Sequence, residues 1–238
     1  METHSEQKEL EKLLNSFELE KRTHAFHNLI EKYIPSNQQN IEKEIKFFNL
    51  HCHSFFSYNG YNLSPTALVW NALKNNFYAI GLVDFDVLDG VDEFLESCKK
   101  AKIRCCAGFE TRVFIPQFAK YQINSPGEVG IAYHIGIGFI SQKIKKSDTL
   151  IKLKSIAQNR VKNIINLVNE YLKPVSIDYE KDVLPLTPSG NPTERHLCLA
   201  YYKKSKIVYP SPTDFINFWS DKLNVSESEL EKLLNNPV

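Results

Sequence analysis

A chain of 238 residues is long enough to bury a substantial core in one large domain or in one domain with appendages. Its formal charge of +1 gives no global attraction to nucleic acid or anionic membrane, and no apolar run approaches the length of a membrane span. The charged start METHSEQKELEKLL does not read as a signal peptide, and five cysteines without a CxxC pair suggest neither a disulfide framework nor a zinc ribbon, so a reducing cytoplasm is the expected setting.

Residues Glu6 to Tyr33 place Leu10, Leu13, Leu14, Phe17, Phe26, Leu29, Ile30 and Tyr33 at broadly helical spacing, which predicts an amphipathic helix packed on the main body. His24 and His27 on it read as surface or packing residues. Ser36 to Asn40, after Pro35, reads as a linker, giving an N-terminal helical extension over residues 1–40. A rhythm of short strands and helices follows: a strand from Ile45 to His53, a helix capped by Ser64 with Pro65 at its first position, and a strand from Ala79 to Asp86. Next come a helix from Asp89 to Ala101, a strand from Ile103 to Glu110 extended by Arg112 to Ile115, and a fourth strand from Val129 to Ile140. The alternation predicts an α/β fold with parallel strands joined by right-handed crossovers. Ser147-Asp148 opens a long basic helix to about Leu172, whose lysines read as a solvated face. Lys173 to Pro192, with four prolines, reads as a long surface loop. A helix capped by Asn191, with Glu194 three residues on, is expected next. A helical tail over 207–238 contains a capping box in Ser226-Glu227-Ser228-Glu229.

Candidate chemistry collects where these strands end. In His51-Cys52-His53 the alternation of a strand aims both imidazoles one way, with Phe48, Leu50 and Cys52 turned the other way. Two such histidines form half of a metal site if acidic residues arrive from neighbouring strands. Asp84 and Asp86 end the second strand, Glu110 the third, and His134 lies within the fourth, and ligands in such folds gather at the carboxyl ends of strands. Arg195 and His196, in the first turn of a helix, could form an anion pocket with its free backbone N–H groups.

These motifs resemble the PHP (polymerase and histidinol phosphatase) domain of metal-dependent phosphoesterases. FNLHCHSFFSYNGYNLSP resembles that family's HxHS motif with its turn and proline-started helix. AIGLVDFDVLDGVDEF resembles the strand ending in TDHD, IRCCAGFETRVF the strand ending in an acidic ligand, and AYHIGIGF the histidine-bearing strand. The wording of several of these segments resembles a bacterial subgroup. The resemblance covers roughly Phe47 to Tyr202, and 41–206 is the expected PHP-like domain. It implies a distorted (β/α) TIM-like barrel and one to three divalent ions, zinc, manganese or iron. Because helical sequence stands where further strands would be needed, the barrel is expected to be incomplete on its C-terminal side, as part of a longer protein or as a naturally shortened form.

Carried over by position, the resemblance makes His51, His53, Glu110 and His134 metal ligands. NPTERHLCLAYY resembles the stretch bearing an RPH element, which makes Arg195 and His196 phosphate contacts. His196 would serve as an acid on the leaving oxygen, and Asp84 or Asp86 as a ligand, a histidine orienter or a water-activating base. The chain departs from the pattern at Phe85, where the motif supplies a histidine, and at Tyr58-Asn59, where it supplies an aspartate. The family's ligands beyond His196 are missing. The expected activity is therefore phosphoester hydrolysis on a phosphorylated small molecule or nucleotide, weakened or lost in this form. The rival is a non-catalytic metal-binding or structural module supporting a partner or a further region; nucleic acid and membrane are not favoured as partners.

Overall fold

The fold is taken from a computed structural model that describes residues 2–34 and 47–235. The linker expected at Ser36 to Asn40 and the start of the first strand, Ile45 and Lys46, lie outside the described residues. The chain divides into two compact units, one of residues 1–157 with 187–191 and the other of residues 158–186 with 192–238.

The first unit is built on a four-stranded sheet in the order β1 (Phe48–Cys52), β2 (Ala79–Phe85), β3 (Arg104–Phe114), β4 (Ile131–Ile137). The first three strands are parallel and β4 is antiparallel to β3. The all-parallel expectation is corrected here, and the reason is local. A parallel neighbour needs a crossover that carries the chain back to the other end of the sheet. Residues 115–130 contain no such helix and fold as a long hairpin arm instead. The Ile115 N–H donates to the Gly130 carbonyl, the Gly130 N–H donates to the Tyr121 carbonyl, and Gln122 bridges Val129. Close β3–β4 packing requires Gly108, since a Cβ there would lie 1.9 Å from the Gly136 carbonyl oxygen. Among the described residues the strands number four. A full eight-stranded barrel is not formed by them; an α/β sheet of this order is compatible with part of one.

Helices α3 (Pro65–Lys74) and α4 (Val91–Ala101) connect the parallel strands. As expected, Ser64 caps α3 by accepting from the Ala67 N–H, with Pro65 filling the first helical position. Helix α4 ends at Lys102, which takes up a left-handed conformation at φ 53°. The single helix anticipated near the N-terminus is two, α1 (Glu2–Leu13) and α2 (Leu19–Tyr33). Ala25, Phe26, Leu29 and Ile30 of α2 join Val69, Trp70, Leu82, Phe94 and Ala107 in the main core. A buried ion pair fastens this joint: Arg22 Nε donates to Glu93 Oε1 at 2.8 Å, and the same carboxylate oxygen accepts from Thr66 Oγ1 at 2.7 Å. His24 and His27 are exposed, as expected of surface residues.

Helix α5 (Asp148–Tyr171) matches the long basic helix and contributes Val161 and Ile165 to the core of the second unit. That core also takes in Val175, Ile177 and Val183, so the segment expected to be a surface loop is partly interior. Its prolines stop regular helix, but apolar residues between them still seek burial, and Asn169 grips both backbone groups of Ile177 at 2.9 Å. Helices α6 (Glu194–Val208), α7 (Pro212–Leu223) and α8 (Glu227–Asn235) complete the unit. The capping box at Ser226 forms as expected: its N–H donates to Glu229 Oε2 at 3.0 Å, and the Glu229 N–H returns to Ser226 Oγ at 3.3 Å.

Candidate metal centre

Strand β1 carries a bulge. Asn49 pairs with Ile80 and Cys52 with Leu82, so three steps on β1 oppose two on β2. Asn49 Oδ1 takes up the His51 N–H that the interrupted ladder releases, at 3.0 Å. The two imidazoles then converge from the end of the strand. His51 Nε2 lies 3.0 Å and His53 Nε2 3.3 Å from one oxygen, Glu110 Oε2. Glu110 stands at the matching level of β3, in register with Phe85 of β2, and is 6% exposed. Donor atoms of His51, His53 and Glu110 all lie within 4.8 Å of one another. Of the three β1 residues expected on the side opposite the imidazoles, Cys52 packs on the core, whereas Phe48 and Leu50 are exposed on a strand at the edge of the sheet.

Burial holds His53 well below the ordinary histidine range, at about 4; nearby His51 adds to this and the Val83 carbonyl opposes it only in part. His53 is therefore neutral at pH 7, the state in which an imidazole nitrogen coordinates a metal. Its ring stacks on Phe85, centroids 4.5 Å apart and planes within 9°, and Phe85 meets Tyr133 at 5.9 Å. Two imidazole nitrogens and one buried carboxylate focused on a single point fit a divalent metal ion.

The other sequence candidates are placed differently. His134 pairs with Thr111, one residue along from the Glu110–Ile135 pair, so strand alternation sends it to the face opposite Glu110; it is exposed and outside the converging group. Asp84 is 1% exposed and lies outside the converging group. Its Oδ1 accepts from the Ser54 N–H at 2.6 Å and Ser57 Oγ at 2.8 Å, and its Oδ2 from Ser54 Oγ at 2.6 Å. Burial pushes this carboxyl up to about 6 while the serine donors pull it back. Asp84 thus clamps the backbone immediately after His53 and makes none of these bonds to an imidazole. Asp86, at φ 59°, accepts from Thr111 Oγ1, and its N–H donates to the Glu110 carbonyl at 2.9 Å. Asn59 shapes the loop rather than joining the donors: Nδ2 donates to the His53 carbonyl at 2.9 Å and Oδ1 accepts from the Tyr61 N–H at 2.9 Å.

In the second unit, the cap of α6 is Thr193 and not Asn191, and the capping-box partner at the third position is His196 and not Glu194. The Thr193 N–H donates to His196 Nδ1 at 3.0 Å. Burial holds His196 down at about 4, so it is neutral at pH 7 with Nδ1 engaged as an acceptor, which leaves only the Nε2 proton for the acid role. Arg195 is exposed in the same first turn. Sequence reasoning missed Ser57 and Asn191. The HxHS pattern pointed to Ser54, but no spacing rule links Asn191 to a carbonyl 106 residues away, that of Phe85, to which its Nδ2 donates at 3.2 Å.

Comparison with known proteins gives three results. The family model described as PHP domain matches residues 49–208. Among solved structures, one from Bifidobacterium adolescentis, provisionally described as a metal-dependent phosphoesterase, is similar at TM-score 0.53 and 17% identity, over 76% of this chain and 56% of that one. An amidohydrolase from Chromobacterium violaceum, with bound sulfate and no metal, is similar at TM-score 0.49 and 14% identity, over 78% of this chain and 54% of that one. The chain thus spans about half the length of the solved structures it matches. No curated protein matches it significantly in sequence.

Proposed function

Because the chain belongs to the PHP domain family, we propose that it is a metal-dependent phosphoesterase acting on a phosphorylated small molecule or nucleotide, with weakened activity in this form. The observation that carries the reading is the convergence of His51, His53 and Glu110 on one point, at the carboxyl end of β1 and at the level of β3 that pairs with the last residue of β2. A bound divalent ion would lower the pKa of water toward neutrality and draw charge from the phosphoryl oxygens. His51 and His53 would give lone pairs to it, and Glu110 the negative charge that offsets its own. Phe85 and Tyr133 form an aromatic wall beside these donors. Asp84 holds the loop after His53 through three hydrogen bonds, so the imidazole is placed before any ligand arrives. Arg195 is the proposed phosphate contact, at a helix start whose backbone N–H groups favour an anion.

A second reading, a metal-binding module without turnover, is favoured by Phe85, which puts an aromatic ring where another donor would stand and leaves three ligands in the group. Release of phosphate from aryl phosphates and nucleotides, with manganese, zinc or iron present, distinguishes the two. Slow turnover that disappears in Glu110→Gln supports the esterase. Stoichiometric metal without turnover supports the module, and failure to bind any of these metals refutes both.

A further inference from the structure

We infer that Asn191 is a positioning residue for the metal centre, acting on His53 through the Phe85 carbonyl. The inference rests on His51, His53 and Glu110 being metal ligands. Asn191 closes the segment Thr187–Asn191, which is far from β1 and β2 in sequence yet belongs to the same compact unit. The segment holds two backbone carbonyls, one in the loop after His53 and one on its stacking partner. Ser189 Oγ donates to the carbonyl of Phe56, three residues beyond His53, and Asn191 Nδ2 donates to that of Phe85, whose ring stacks on His53. Ser189 Oγ also accepts the Asn191 N–H at 3.1 Å and shares a hydrogen bond with Thr187 Oγ1 at 3.0 Å, so the two grips form one network. Gly190, at φ +65°, supplies the turn that presents Asn191.

Packing alone does not account for this side chain. Asn191 is 1% exposed, and its Oδ1 is buried with no hydrogen-bond partner. A half-satisfied buried amide is unfavourable relative to an apolar group of the same shape, so what it supplies is the donated bond. That bond falls on the last peptide the sheet still holds: β3 takes its Asp86 N–H through the Glu110 carbonyl, Asn191 takes its Phe85 carbonyl, and at Asp86 the chain leaves strand geometry. Fixing the Phe85 peptide fixes the direction of its ring. The parallel stack then sets the plane of His53 and hence the line from Nε2 to Glu110 Oε2.

The test is cobalt(II) binding by the full chain, read both as affinity and as the visible absorption of the bound ion, which reports ligand geometry and not fold stability. Wild type is compared with Asn191→Asp, which keeps the shape but cannot donate when ionised, with Asn191→Ala, and with Phe85→Leu. Urea unfolding of each metal-free protein runs alongside. Loss of an outer support costs roughly tenfold to a hundredfold in metal affinity. We expect at least the lower figure in both Asn191 variants, with an absorption shift in the same sense as that of Phe85→Leu. Unchanged affinity and absorption in a folded Asn191→Asp protein would overturn the inference. Loss of folding in both Asn191 variants would overturn it as well, by making the residue a requirement of the fold. Failure of wild type to bind cobalt would refute the metal-centre reading itself, an outcome separate from either.

Discussion

Mild acid is expected to destabilise this protein through His196, by an amount that follows from its burial. The side chain is 4% exposed, and desolvation lowers its pKa from 6.5 to about 4. The unfolded chain therefore takes up a proton at higher pH than the folded one. Stability falls as the pH drops through the ordinary histidine value, and the loss from this residue stops once the pH is below the folded value. At 1.36 kcal/mol per pH unit, the gap corresponds to about 2 kcal/mol lost by pH 5 and about 3 kcal/mol by pH 4. Urea unfolding of metal-free protein at neutral pH and near pH 5 measures the loss in wild type and in His196→Gln. Glutamine still offers an oxygen to the Thr193 N–H but does not titrate. His53, lowered in the same direction, is present in both proteins and cancels in the difference. The variant should lose about 2 kcal/mol less than wild type over this interval. Equal losses, within about 0.5 kcal/mol, would refute the claim that His196 is buried neutral as a helix cap.

Other perturbations follow from the same geometry. Asp84→Ala leaves the Ser54 and Ser57 donors without their acceptor and should cost about 3 kcal/mol, while Asp84→Asn, which keeps one oxygen in place, should cost less than half as much by urea unfolding. Gly108→Ala drives a methyl into the Gly136 carbonyl and should destabilise by roughly 3 kcal/mol or more, visible as loss of soluble protein or a lowered Tm. In His51→Ala, His53 and Glu110 should still hold weakly bound metal below the ordinary histidine range, because burial, the larger cause of the lowered His53 pKa, remains once His51 is gone; dialysis and elemental analysis showing complete loss near pH 6.5 would contradict the depression of His53 by burial.

Much of the first unit was legible because its signals are local. Ser64-Pro65 starts α3 whatever packs on it, and β2 ends at Phe85 where its apolar run ends, whereas β3 continues past Glu110 to Phe114. The direction of β4 was not legible, because an apolar run reads the same in either sense and only the hairpin arm over 115–130 reverses it. His134 shows the consequence. Its place on a strand was foreseen, but its face depends on register with β3, and one residue of register moves a side chain across the sheet.

The sequence by itself determined most of the first unit's strands and helices and set His51 beside His53 as a pair, since strand alternation is a property of neighbouring residues, while Glu110 was one of several strand candidates that the family resemblance singled out. Tertiary structure alone decided which oxygen the two imidazoles share, that Asp84 turns to Ser54 and Ser57, that His196 caps a helix, and that Asn191 reaches Phe85. Each of these is a contact whose partner depends on register, bulge or burial. Those are fixed only when elements distant in sequence pack together and most buried polar groups find a donor or acceptor.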